Sequence, residues 1–185
     1  MTKAQLTVLA GPTAVGKGTV VAALTKRYPT LNVSVSATTR DPRPGELNGV
    51  HYYFVSAQEF DAMIERGDML EWALVHGKNK YGTPRGPVDE ALAAGKPVLL
   101  EIDLAGARQV RTNRPEAQFI FLAPPSWEEL ERRLVGRGTE GPDEQARRLA
   151  TARVELEAAS EFDHVVINDD VERAVDELAR LIGLE

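Results

Sequence analysis

Gly11-Pro-Thr13-Ala14-Val15-Gly16-Lys17-Gly18-Thr19 lies between a short apolar run and a segment of helical spacing. Two glycines around a four-residue spacer, followed by lysine, suit a backbone that wraps a phosphate. Glycine removes the Cβ that would hold the chain off the anion. Consecutive amides and a helix N-terminus then face it, and Lys17 adds a compact charge on a flexible stem. The strict pattern places Ser or Thr directly after the lysine. Here Gly18 takes that position and Thr19 follows. The direct hydroxyl contact to a magnesium ion is then lost, so Thr19 would contact phosphate and water would complete the metal shell. The bland alternative, a glycine-rich turn before a helix, explains the glycines but not the lysine or the spacing.

Other groups could do related chemistry. Arg40 and Arg43 stand on a loop rich in Pro, Gly and Asp, and guanidinium forks suit a dianionic phosphate. Arg133 and Arg137 are four apart, at a helix end and its following loop, and Arg148 projects from the opposite helix. Guanidinium groups delivered there would stabilise charge that spreads over a transferring phosphoryl group. Their alternative is a solvated helix face paired with Glu128, Glu131 and Glu144. Trp72 and Trp127 read as packing residues, and His51, His76 and His164 are scattered.

The elements that must position these groups follow from pattern. Leu6–Ala10 is a buried strand ending at Gly-Pro, and residues 16–28 form a helix stopped by Pro29. Residues 32–36 alternate as a strand, 37–49 read as a loop, and 51–55 as a strand. Ser56-Ala-Gln-Glu59 is a capping box that starts a helix to about Arg66. A strand is expected over 69–75, turn chemistry over 76–86, and a helix over 87–94 closed by Gly95. Residues 98–102 form a strand capped by Asp103, and 119–122 another. Ser126 starts a helix to about Val135; 136–142 is a loop; 143–162 is a long charged helix. A strand over 165–168 and an amphipathic helix over 171–182 finish the chain. Apolar strands alternating with helices predict an α/β fold, a parallel sheet with helices on both faces. Residues 35–86 break the alternation and read as an insertion.

Composition bounds the rest. At roughly 150 residues per domain, 185 residues make one domain or one core with insertions. No cysteine is present, which excludes disulfides and thiolate catalysis. The net charge of −6, from 22 basic and 28 acidic residues, argues against nucleic acid as partner but not against a small phosphate ligand. Only a few apolar residues precede Gly11, and nothing approaches the roughly 20 of a membrane span. The expectation is a soluble, cytoplasmic protein with no membrane partner.

The run Ser34-Val-Ser36-Ala-Thr-Thr39-Arg40-Asp-Pro-Arg43-Pro-Gly45-Glu46, then Asn48-Gly49 and Tyr52-Tyr53-Phe54, closely resembles the guanylate kinase family of nucleoside-monophosphate kinases. Leu70-Glu71-Trp72-Ala73, Tyr81-Gly82-Thr83, Glu101-Ile102-Asp103, Gly136-Arg137-Gly138-Thr139, Arg148 and Asn168-Asp169 continue the match in order. The resemblance implies ATP-dependent phosphorylation of GMP, and of dGMP, with magnesium, on a P-loop NTPase-type core. It implies a core of residues 1–34, 87–125 and 162–185, a GMP-binding insertion over 35–86, and a lid over 126–161. Arg40, Arg43, Tyr52 and Tyr81 would hold the GMP phosphate. Glu71 would read the guanine donors, with Ser36 and Thr83 as hydroxyl partners, and Asp103 would stand by magnesium water or GMP, with Glu101 beside it. Gly11, Thr13–Thr19 and Asn168 would bind ATP, and Lys17, Arg133, Arg137 and Arg148 would carry the transfer. The partners implied are the nucleotides alone, with the chain a monomer or small homo-oligomer.

Two rival readings remain at this stage. Gly-Lys-Gly-Thr resembles the adenylate kinase loop, but Glu71 and the 36–43 run do not fit that family. Guanylate-kinase-like domains that bind phosphopeptides generally have a degraded phosphate loop, whereas Lys17, Arg137 and Arg148 are all present. Asn79-Lys80-Tyr81-Gly82 begins like a GTPase base-reading motif but lacks its Asp.

Overall fold

The computed structural model describes residues 3–136, 138 and 140–184. Five strands form a parallel sheet: β1 (Leu6–Ala10), β2 (Asn32–Val33), β7 (Val98–Glu101), β8 (Gln118–Ala123) and β9 (His164–Ile167), in the order β2-β7-β1-β8-β9. All five residues of β1 are buried, because both faces of the sheet are covered. Leu9 joins Ile120, Leu122 and Val166 beneath α1 (Lys17–Arg27) and α7 (Val171–Ile182). Leu6, Val8 and Ala10 point the other way and pack with Val88 of α3 (Arg85–Ala93) and Val110 of α4 (Leu104–Asn113). The period-two alternation of β1 thus feeds two apolar cores.

A second sheet of four strands has the order β4-β3-β6-β5: β3 (Ala37–Thr38), β4 (Tyr53–Phe54), β5 (Met69–Val75) and β6 (Asn79–Pro84). β3 and β4 run parallel; β6 pairs antiparallel with both β3 and β5. Helix α2 (Ala57–Glu65) buries Phe60 against Ala37 and Met69. Among the described residues the outer edge of β5 meets no strand. Gln109 of α4 bonds both backbone groups of Trp72, at 3.0 and 2.9 Å, and Asn113 donates to the Leu70 carbonyl at 2.9 Å. Helices α5 (Trp127–Val135) and α6 (Pro142–Glu157) pack through Leu130, Leu134 and Ala152, with Ala14 of the phosphate loop against them.

Most expected elements are present, but the helix expected over 143–162 ends at Glu157 and is followed by a 3-10 turn over Ala158–Glu161, and four further differences appear. The strand expected over 32–36 stops at Val33, and Ala37–Thr38, expected as loop, form a strand of the second sheet, because the chain leaves β7 after Val33 and joins β6 at Ala37. The turn expected over 76–86 is a hairpin: His76 and Gly77, at φ 51° and 65°, make the bend, and the polar β6 is held between two partners. Gly82 belongs in that strand because a Cβ there would lie 2.7 Å from the Glu71 carbonyl oxygen. Helix α3 starts at Arg85, two residues early. Helix α4 was not expected at all; Asp103 caps it by accepting from the Gly106 amide at 2.7 Å, and its buried Leu104, Ala107 and Val110 repeat every three residues.

Where β1 meets the phosphate loop, the space is fully used. A Cβ on Gly11 would stand 2.5 Å from the Leu122 carbonyl oxygen of β8. Gly11→Ala should therefore destabilise the protein by about 1–3 kcal/mol, the cost of overpacking a close-packed site. Urea unfolding checks it, and the expected result is a lower midpoint at an unchanged slope.

Candidate active site

The loop from Gly11 to Gly16 turns at the carboxyl end of the central strand, where the connections diverge to either side of the sheet. The Val15 amide donates to the Pro12 carbonyl at 3.2 Å, and Ala14 and Gly16 adopt φ 68° and 92°. Gly16 is the N-cap of α1, and no side chain caps that helix. No acidic residue stands in the first turn either, so the positive end of the helix faces an open cleft of about 360 Å³. Lys17 enters the cleft, and its Nζ donates to the Ile102 carbonyl at 3.0 Å. Burial pushes the Lys17 amine below its ordinary range, while Glu101, Asp103 and Glu155 oppose that shift. Thr19 is exposed in the same cleft. A Cβ at Gly18 would meet only Glu101 Oε1, at 3.9 Å. Nothing nearby therefore excludes a larger residue there.

The loop is braced from outside. Arg133 Nη1 and Asn168 Nδ2 both donate to the Val15 carbonyl, at 3.0 and 2.8 Å. Asn168 is buried against Gly16, where a Cβ would lie 2.8 Å from its amide nitrogen. Both residues were expected at bound nucleotide; in this structure their bonds go to the loop that would hold it. Arg148 is paired with Glu140 at 2.6 Å and Glu144 at 3.4 Å. Arg137 lies outside the described residues.

A second cluster forms on the other sheet. Glu71 of β5 is buried, and the Thr83 hydroxyl of β6 donates to its Oε1 at 2.7 Å. The two side chains face each other because Glu71 and Thr83 are register partners. Burial raises the Glu71 carboxyl above the usual range; the Thr83 hydrogen bonds oppose this and the charge of Asp103 adds to it. Asp103 is itself exposed at the rim of the phosphate-loop cleft, so the two clusters meet there. Ser36 is half-buried, and its carbonyl accepts from the Tyr53 amide at 2.8 Å.

Arg40, Tyr52 and Tyr81 come together. The Arg40 guanidinium lies 5.2 Å from the Tyr52 ring centre, and the two tyrosine rings are 6.0 Å apart. Glu46 grips Arg40 through both oxygens, at 2.8 and 3.1 Å, and also accepts from the Arg43 amide. That hydrogen bonding holds the Glu46 carboxyl down to about 2 and raises Arg40. The Arg43 side chain is exposed.

Sequence reasoning assigned no role to Glu46 or Glu155. Glu155 reaches from α6 to the phosphate-loop cleft, and its Oε1 is buried without a partner among the described residues. Burial raises its carboxyl, against the Thr13 amide and Lys17. The signal for Glu155 was spacing: with Arg148 and Ala152 it falls on one helical face. Among the described residues no three His, Asp or Glu side chains converge to hold a metal by themselves. Thr19, Glu101 and Asp103 fit an ion that arrives with phosphates and waters of its own. Another hollow, of about 430 Å³ beside Leu6 and Leu92, has Asp89 and Glu116 already paired with Arg114.

A parallel sheet covered on both faces, with an anion seat beyond its central strand, defines a nucleotide-binding protein of the P-loop NTPase type. The family model described as guanylate kinase matches residues 3–185. The chain is 62% identical over 177 residues to a guanylate kinase of Leifsonia xyli, covering 96% of this chain and 70% of that one. It is 60% identical over 180 residues to one of Nocardia farcinica, covering 97% and 93%. The crystal structure of guanylate kinase from Anaplasma phagocytophilum superposes with TM-score 0.75 at 32% identity, covering 99% of this chain and 86% of that one. A shikimate kinase structure from Bacteroides thetaiotaomicron, at TM-score 0.51 and 14% identity, shares the fold alone. The chain belongs to the guanylate kinase family, and its activity is the phosphorylation of GMP by ATP.

A buried carboxyl with a raised pKa favours the folded state while protonated and disfavours it once ionised. That stability is complete below the unfolded value of 4.5 and is lost as pH rises through the folded value. Glu71→Gln keeps an acceptor for Thr83 and removes the charge. It should raise Tm at neutral pH by about 2–4 °C, the shift that roughly 1 kcal/mol gives in a chain of this size. Thermal unfolding at several pH values checks this, with the gain shrinking as pH falls from the raised folded value toward 4.5 and absent below it.

Proposed function

We propose that the cleft binds ATP along residues 11–19 and that residues 35–86 form the GMP-binding part. Residues 126–161 close as a lid, carrying Arg133, Arg137 and Arg148 over the donor phosphates. The observation that carries this reading is Glu71, a buried carboxylate fixed by Thr83 and coupled to Asp103 at the edge of the phosphate-loop cleft.

Guanine offers N1–H and an exocyclic amine as donors and O6 as acceptor. Glu71 takes the donors, and the Ser36 hydroxyl satisfies O6 while Thr83 gives its one proton to Glu71. Adenine has no N1 proton, so it would leave a buried carboxylate poorly paired. Arg40, Arg43, Tyr52 and Tyr81 grip the acceptor phosphate, which requires Arg40 to exchange part of its hold on Glu46. That phosphate is already ionised, so no general base is needed, and catalysis is positioning and charge stabilisation. Arg148 leaves Glu140 and Glu144 for the transferring group as the lid closes, and closure excludes water that would compete with GMP. Lys17 and the α1 amides hold the donor phosphates. Thr19 and Asp103 would help hold a magnesium ion, which when bound would neutralise donor charge. The same guanine contacts admit dGMP. Bacterial relatives of the same family support a place in cytoplasmic purine nucleotide metabolism.

A coupled assay of ADP release with magnesium-ATP and GMP, dGMP, AMP, CMP or UMP tests the reading. Turnover is expected with GMP and dGMP alone. Glu71→Gln should raise KM for GMP roughly 10–100-fold, as lost charged hydrogen bonds do, and leave KM for ATP unchanged. Equal loss for both nucleotides would remove Glu71 from the base site, and turnover with AMP would assign a different acceptor.

A further inference from the structure

Glu71 is held from three sides, and one of them is a missing side chain. Its Oε1 accepts from the Thr83 hydroxyl at 2.7 Å. Its Oε2 faces Gly106 of α4, where a Cβ would lie 3.0 Å from Oε2 and 3.4 Å from the carboxyl carbon. The same Cβ would stand 3.1 Å from Asp103 Oδ1, which already accepts from the Gly106 amide. Such separations are tighter than ordinary packing, so a neighbour would have to move.

The helix cannot be the part that moves. Gln109 and Asn113 follow Gly106 by three and seven residues, on the face that meets β5. Their three hydrogen bonds fix α4 to Trp72 and Leu70, on either side of Glu71. Asp103 cannot shift freely either, because it caps the helix. The displacement therefore falls on the Glu71 carboxylate. Backbone conformation does not require glycine here, since Gly106 lies inside the helix and outside the positive-φ set. By helix propensity alone, alanine would be preferred.

We propose that Gly106 is a positioning residue for base selection: the absence of its Cβ sets the depth at which Glu71 presents both oxygens to the purine edge. This rests on the reading of Glu71 as the guanine-facing carboxylate. The helix forgoes the propensity of a better residue so that two carboxylates can share one crowded corner.

The test is Gly106→Ala in the full chain, with Gly106→Ser measured beside it and Glu71→Gln as reference. The probes are GMP, ATP and IMP, which is guanine's nucleotide without the exocyclic amine. The expected result is a rise of about tenfold in KM for GMP, in line with the cost of small misplacements. KM for ATP should stay within about twofold of its original value, Tm should not fall, and the preference for GMP over IMP should narrow. A GMP KM unchanged in both Gly106 variants, while Glu71→Gln raises it, overturns the proposal and leaves the site reading standing. Unchanged GMP use in Glu71→Gln overturns that reading and this proposal with it. Failure to fold, or equal loss for ATP and GMP, assigns Gly106 to structure alone and also overturns it.

Discussion

One backbone carbonyl ties the catalytic core together. The Val15 oxygen accepts from Arg133, on α5, and from Asn168, at the end of β9. A carbonyl has two lone pairs, and both are used here. The consequence is geometric. With its carbonyl pinned outward, the loop holds a backbone with left-handed residues at Ala14 and Gly16, a conformation that is uphill for alanine. The open end of α1 then faces the cleft without any internal acceptor to satisfy it. An anion seat must be left unsatisfied by the protein if it is to be satisfied by the ligand, and the bracing from behind keeps it from collapsing.

Carboxylates serve the two halves of the site in opposite ways. Glu46 is paired and hydrogen-bonded, and ionised far down the pH scale, so it holds Arg40 as a ready guanidinium. Glu71 is buried with one hydroxyl for company and is raised. Such a group is costly to the empty protein, and in the proposed function its remaining donors would come from the guanine. Glu155 shows the same tension, with one buried oxygen lacking a partner. On the proposed reading, discrimination resides in these imperfectly satisfied polar groups, which a well-matched ligand would relieve.

Much of this was legible in the residues. Gly11 to Thr19 announced the phosphate loop because its spacing reflects backbone geometry that few sequences satisfy. The apolar runs of β1, β7 and β8 announced a doubly covered sheet. Helix α4 was not read, since Gly106, Gln109 and Asn113 look like loop residues until their partners on β5 are known. Strand β6 was hidden for a related reason: Asn79-Lys-Tyr-Gly-Thr-Pro84 is turn-like in composition, and only its two neighbouring strands make it extended. Pairing of Glu71 with Thr83 needs the hairpin register, which no local pattern supplies. The bonds of Arg133 and Asn168 to Val15 span 118 and 153 residues of sequence. No inspection of either neighbourhood would find them.

The side-chain amides that hold α4 against β5 have an effect beyond the site. A seven-residue strand at the margin of a sheet offers a free row of donors and acceptors, the usual template on which a foreign chain can add itself. Gln109 answers both backbone groups of Trp72, much as an opposing strand residue would, and Asn113 takes the next carbonyl, at Leu70. The margin is thereby closed by a helix acting as a substitute strand. The stretch of chain that carries Glu71, apolar and β-prone as it is, stays out of reach of self-association for as long as that helix remains in place.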